Sequence, residues 1–129
     1  SKINGHVTYC TDRSWDDAMK IIKSSQVVVV PSRMESLPTI VKEAFYLNVP
    51  VVATNVGGIP ELIKDNETGM LVPSENPDKL ADAVNELLFD DQKAERLANN
   101  GNEFVKNHMT WETILPKYIQ FYEDLLAIP

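Results

Sequence analysis

Two short apolar runs with a helical segment between them constrain this chain more than any other feature. Val27 to Val30 is an unbroken run of valines closed by Pro31, and Val49 to Ala53 is a second buried-type run. Neither alternates apolar with polar residues, which is the pattern of a strand covered on both faces in a parallel sheet. The segment between them, Pro38 to Leu47, has helical periodicity. Strand, helix and strand within about 25 residues predict a right-handed βαβ unit. The expected fold class is therefore α/β, a Rossmann-like parallel sheet flanked by helices.

The flanking sequence extends this unit. His6 to Cys10 reads as a short strand, and a chain that starts on a strand is expected to continue upstream in the natural protein. The following helix has Ser14 as its N-cap, with Asp16 and Asp17 in the first turn where the helix dipole favours them. Trp15, Ala18, Met19 and Ile22 form its apolar face. The turn Asp65 to Gly69 leads into a further strand, Met70 to Val72. Asn76, Pro77 and Asp78 are a strong helix start, with Leu80, Ala83, Val84, Leu87 and Leu88 facing inward. A helix from Asp91 to Asn107 follows, with Ala94, Leu97, Ala98, Phe104 and Val105 as its apolar positions. Thr110 caps a last helix whose Trp111, Tyr118 and Tyr122 fit a core role better than a ligand stack. With no repeat or linker, residues 1–129 read as one domain with a helical final third.

The net charge of −7 argues against sequence-independent binding to nucleic acid or to an anionic membrane surface. Cys10, expected to be packed, is the only cysteine, which excludes an internal disulfide and a cysteine-based metal cluster. No apolar run reaches the length of about 18 residues needed to span a bilayer. A cytoplasmic setting fits these features.

Ligands of open parallel sheets bind beyond the carboxyl ends of the strands. Two loops qualify here, Ser32 to Leu37 and Thr54 to Gly58, and both lead into helix N-termini that favour phosphate. Taken alone, Gly57-Gly58 is better explained by a tight turn needing positive φ, and two neighbouring loops facing the same way weaken that explanation. With Ile40, Ala44 and Leu47 at the centre of the buried face, Glu43 falls about 60° from that centre at about 100° per residue. A carboxylate there needs a partner. Two vicinal sugar hydroxyls and a structural role as a buried acid are equally supported by spacing alone. Glu35 lies in the loop at the strand end, where an isolated Glu is usually solvated. Arg33 is a candidate phosphate counter-charge, although loop arginines are usually solvated, and Glu61 suits the first turn of the next helix. His6 and His108 have no metal-ligand spacing. Ser14, Ser32 and Ser36 lack the nucleophile elbow.

These residues together resemble a known family. Pro31-Ser32, Glu35, the seven intervening residues and Glu43-Ala44 come first. Pro50 to Thr54, Gly57-Gly58, Pro60-Glu61, Thr68 to Pro73, Asn76-Pro77 and the terminal Trp111…Tyr122-Glu123 helix complete the set. The pattern is similar to retaining GT-B glycosyltransferases of group 1, which include glycogen and sucrose synthases and bacterial α-mannosyl and α-glucosyl transferases. The resemblance implies the later part of a C-terminal lobe that holds a nucleotide-diphosphate sugar, UDP-, GDP- or ADP-linked. It implies a place near the donor sugar for Glu35 and the ribose hydroxyls for Glu43. It also implies donor contacts from the backbone of Ser36, Leu37, Pro38, Thr39 and Ile40, and a site border at Gly57 and Gly58. No metal ligands and no cofactor are implied. The partner is an N-terminal lobe of the same enzyme, with a peripheral membrane position possible for the whole.

Three departures from the family pattern stand out. Ser36 and Pro38 stand where the family usually has glycine, so the backbone there approaches a donor less closely. Asn48 stands where glycine usually precedes the second strand, and Asn tolerates left-handed geometry. The Arg/Lys pair that grips the diphosphate, and the acceptor lobe, belong upstream of the first buried strand. The 129-residue chain alone is therefore expected to transfer sugar very slowly or not at all. Other readings of the same fold are a non-catalytic nucleotide- or partner-binding module and a nucleotide-sugar epimerase. A response-regulator receiver is disfavoured, because the first strand ends in Pro-Ser-Arg rather than in clustered acids.

Overall fold

The computed structural model describes residues 5–127. Three parallel strands, β1 (Val28–Val30), β2 (Val51–Thr54) and β3 (Met70–Val72), lie in the order β1-β2-β3. The crossover from β1 to β2 carries α2 (Thr39–Tyr46), and that from β2 to β3 carries the single turn α3 (Ile59–Leu62). α1 (Trp15–Lys23) precedes the sheet, and α4 (Pro77–Phe89), α5 (Asp91–His108) and α6 (Trp111–Leu126) follow it. Among the described residues, no helix is long and apolar enough to cross a membrane.

The middle strand explains why the valine runs do not alternate. Val51 and Ala53 point into a core with Val41, Ala44, Phe45, Ile59, Leu62 and Ile63, whereas Val52 points the opposite way into a second core with Met70, Val72, Ala83, Leu87 and Leu97. Both faces of β2 are covered, so Val51, Val52 and Ala53 are all apolar, and the one polar residue, Thr54 at the strand end, is buried with its hydroxyl hydrogen-bonded. Two of the three expected side-chain caps form, whereas Thr110 stands at the cap position of α6 without a side-chain bond to a backbone amide of its first turn. Ser14 Oγ accepts from the Asp17 amide, Asn76 Oδ1 accepts from the Lys79 amide, and Pro77 opens its helix. Asn48 takes φ +60° just past the end of α2, the left-handed geometry expected of it.

α2 is also anchored from behind. Gly101 lies in mid-helix on α5, where a Cβ would sit 2.6 Å from the Phe45 ring. The glycine lets that fully buried ring lie against the α5 backbone. Beside it, Asn102 Nδ2 donates to the carbonyls of Phe45 and Tyr46 at 3.0 and 2.8 Å, meeting the exposed acceptors at the C-terminus of α2.

Six expectations need correcting. Residues His6 to Cys10 form no strand, because no neighbouring chain pairs with them, and Cys10 is exposed rather than packed. The buried face of α2 runs through Val41, Ala44 and Phe45, leaving Ile40 38% exposed. The face is turned because Phe45, not Leu47, fills the space between sheet and α5. On α1, Trp15 does not join the buried face, which is carried by Ile22 with Met19 and Ala18 half-buried. On α4, Leu88 lies outside the buried face that Ala83 and Leu87 form. Finally, α6 has no buried residue. Trp111, Tyr118 and Tyr122 are 74%, 55% and 61% exposed, because this helix, with Pro116 inside it, touches the body mainly at its start against α5.

Candidate functional site

The carboxyl ends of β1 and β2 carry two loops that are locked to one another. Thr54 ends β2 and is buried; its Oγ1 donates to the Ser32 carbonyl at 2.6 Å. Ser32 Oγ in turn donates to Glu35 Oε1 at 2.9 Å, which holds the half-buried Glu35 side chain over the strand end. From the other loop, Gly57 and Gly58 press against the backbone carbonyls of Glu35 and Ser36. A Cβ on Gly57 would lie 1.8 Å from Glu35 O, and one on Gly58 would lie 2.0 Å from Ser36 O.

The two glycines are needed for different reasons. Gly57 has φ +53°, so a turn geometry that favours glycine adds to the close approach. Gly58 has φ −86°, which any residue adopts, so only the close approach requires it. The helix that follows this pair, α3, is a single turn of four residues. The glycine pair also shapes the neighbouring loop.

That loop delivers the start of α2. Pro38 is its N-cap, buried, with no side-chain hydrogen bond to the first turn and no acidic residue within it. Pro38 lacks an N–H, so the amide donors available there are those of Thr39 and Ile40 at the helix start, with Ser36 and Leu37 in the loop before it. Nothing in the helix itself neutralises this positive end. Beyond the loop, Arg33 Nε lies 3.5 Å from Glu75 Oε1 on the segment after β3. The two border a cavity of about 320 Å³ with Pro31, Thr54, Pro73 and Pro77.

Glu43 occupies a different surface from the one its spacing predicts. Measured from the Val41–Ala44–Phe45 face, it points about 150° away at about 100° per residue. Its partial burial comes from α1, whose Trp15 donates Nε1–H to Glu43 Oε1 at 3.3 Å. Both residues line a groove of about 550 Å³ with Met19, Tyr46, Met109 and Trp111. Thus Glu35, Ser36, Gly57 and Gly58 are brought into direct apposition. Glu43 stands apart, on the outer side of α2. The spacing argument missed Trp15 as its partner and missed Thr54 and Ser32 as the fixings of Glu35. Ser and Thr at the ends of adjacent parallel strands were the available signal. Among the described residues, no group of three or more His, Cys, Asp or Glu side chains is placed to hold a metal ion.

A family model described as glycosyl transferases group 1 matches residues 1–104. The chain is 33% identical over 123 residues to the GDP-mannose-dependent alpha-(1-6)-phosphatidylinositol monomannoside mannosyltransferase of Mycobacterium tuberculosis, covering 90% of this chain and 32% of that one. Sucrose-phosphate synthase from Thermosynechococcus elongatus superposes with a TM-score of 0.78 at 36% identity, covering 83% of this chain and 27% of the other. Anabaena HepE in complex with UDP-glucose superposes with a TM-score of 0.75 at 25% identity over 84% of this chain and 29% of the other. The chain spans about a third of the length of the curated relatives it matches and corresponds to a C-terminal portion of GT-B enzymes. By its motifs, its fold and the extent of the match, it belongs to the group 1 glycosyltransferases.

Proposed function

We propose that the intact protein transfers a sugar from a nucleotide-diphosphate sugar to a glycan, lipid or small-molecule acceptor with retention, and that this chain forms the later part of its donor side. The observation that carries this reading is the uncapped start of α2, with Glu35 fixed on the loop before it and Glu43 one turn into it. In this reading the amides of Ser36, Leu37, Thr39 and Ile40 face the donor sugar and diphosphate, where N–H groups aimed at developing negative charge favour departure of the nucleotide. Pro38 adds rigidity rather than a donor. Glu43 accepts from the two ribose hydroxyls, and Glu35 stands near the sugar. Gly57 and Gly58 border the site through the loop they shape. The nucleotide leaves from the face that the acceptor oxygen attacks, with the acceptor proton passing to the departing phosphate.

Relatives support the substrate class and leave the base open. One is named for GDP-mannose and another was solved with UDP-glucose; ADP-sugars stay candidates through the family resemblance alone. The acceptor and the cationic grip on the diphosphate are assigned to an N-terminal lobe and upstream segment, so the isolated chain is expected to be inactive. The cysteine content and the lack of long apolar helices among the described residues support a cytoplasmic setting, peripheral at a membrane where the acceptor is a lipid.

Ligand-observed NMR with UDP-, GDP- and ADP-sugars tests the reading, with Glu43→Ala as control. One class is expected to bind and to lose about tenfold in affinity on substitution, the scale of a charge-assisted hydrogen bond. Equal binding by Glu43→Ala removes the ribose assignment.

A further inference from the structure

A carboxylate on the outer face of a helix is free to sweep its rotamers, and a clamp for two hydroxyls requires it to hold one. Glu43 is on such a face, yet it is tied by a side chain 28 residues earlier in the sequence. Trp15 opens α1 directly after its Ser14 cap, and its Nε1–H reaches Glu43 Oε1 at 3.3 Å. Trp15 is 66% exposed, so the core does not explain why a tryptophan is there. We infer that Trp15 is a positioning residue for Glu43, presenting the carboxylate to the ribose. The inference rests on the donor-site reading of Glu43.

The chemistry of the indole suits this task. It donates one hydrogen bond and accepts none, so it does not compete for the hydroxyl protons that the carboxylate must receive. It is neutral, so it orients the carboxylate without cancelling the charge that attracts those protons, as a lysine there would. One contact on Oε1 leaves Oε2 and a second lone pair on Oε1 for a vicinal diol. The ring also walls the apolar groove shared with Met19, Tyr46 and Trp111.

Trp15→Phe keeps the ring and removes only the donor. Its binding to UDP, GDP and ADP, and to their 3′-deoxy counterparts, is to be measured beside that of the unsubstituted chain, Glu43→Ala and the double variant. Trp15→Phe should weaken the best nucleotide by about three- to tenfold. It should have little effect on the 3′-deoxy nucleotide or in the Glu43→Ala background, two readouts that a loss of packing would not produce. Before any ligand is added, the Trp15 indole N–H resonance, assigned by its loss in Trp15→Phe, should move on Glu43→Ala. If Glu43→Ala weakens binding and Trp15→Phe does not, the positioning role fails and the ribose assignment stands. If Glu43→Ala is without effect, or no nucleotide binds, the donor-site reading fails and the positioning role with it. An unmoved indole resonance refutes the contact itself.

Discussion

Gly58→Ala is the most informative single substitution in the loop pair. At φ −86° alanine meets no backbone penalty, and replacing glycine at a compatible position normally stabilises by about 0.4–1 kcal/mol through the unfolded chain. The added Cβ, however, would lie 2.0 Å from Ser36 O and 3.1 Å from Leu37 Cδ1. Leu37 is partly exposed and can swing aside, whereas the carbonyl belongs to a loop pinned at Ser32 and Glu35. Restoring ordinary contact requires the two backbones to separate by more than about 1 Å. Overpacking of this kind costs about 1–3 kcal/mol, so a net loss of about 1–2 kcal/mol is expected. The same displacement moves the Ser36 to Ile40 amides, and a misplacement of about 1 Å at a reacting group can cost about a hundredfold in rate. Urea unfolding reads the stability, and amide chemical shifts of residues 35–40 read the displacement. Gly57 supplies the control. Asn tolerates positive φ but carries the same Cβ, so Gly57→Asn should recover little of the damage of Gly57→Ala. A Gly58→Ala protein as stable as the original, with unshifted amides, would refute the close-approach argument.

Two further predictions concern what holds this loop and α2 in place. Gly101→Ala gains about 1 kcal/mol of helix propensity but drives a methyl group to 2.6 Å from the Phe45 ring. A net loss of about 1–2 kcal/mol in urea unfolding is expected, with partial recovery in the Gly101→Ala, Phe45→Leu double variant. Thr54→Val keeps the side-chain shape and removes the donor to Ser32 O. It should cost about 1–2 kcal/mol and broaden or shift the Glu35 and Ser36 amide resonances, whereas unchanged stability would mean that water replaces the hydroxyl.

The elements that could be read from the sequence are those whose signals are local. The β-branched runs, the Ser14 and Asn76 caps and the Asn48 turn are set by neighbouring residues, and they appear where expected. The misreadings lie where a partner distant in sequence decides. In TIVKEAFY apolar residues occupy most of the circumference, so periodicity cannot choose between the Ile40 and the Val41–Phe45 faces; Gly101, 56 residues after Phe45, makes the choice. His6 to Cys10 has a strand's composition but no ladder beside it. α6 has the apolar spacing of a packed helix, yet no residue of it is buried, and its main packing is against α5. At the candidate site, the motif residues could be named from sequence. The contacts that fix them, Thr54 to Ser32, Ser32 to Glu35 and Trp15 to Glu43, depend on the fold.

Loops at strand ends usually open more readily than the sheet that carries them. The Ser32–Leu37 loop differs, because its anchors are the buried Thr54 hydroxyl on the central strand and two glycines pressed against its carbonyls. To swing out, it must break the Thr54 hydroxyl bond and give up its contact with both glycines, so it opens less readily than an untied loop. The amides it presents are ordered before any ligand arrives, so binding there spends little free energy on ordering the backbone.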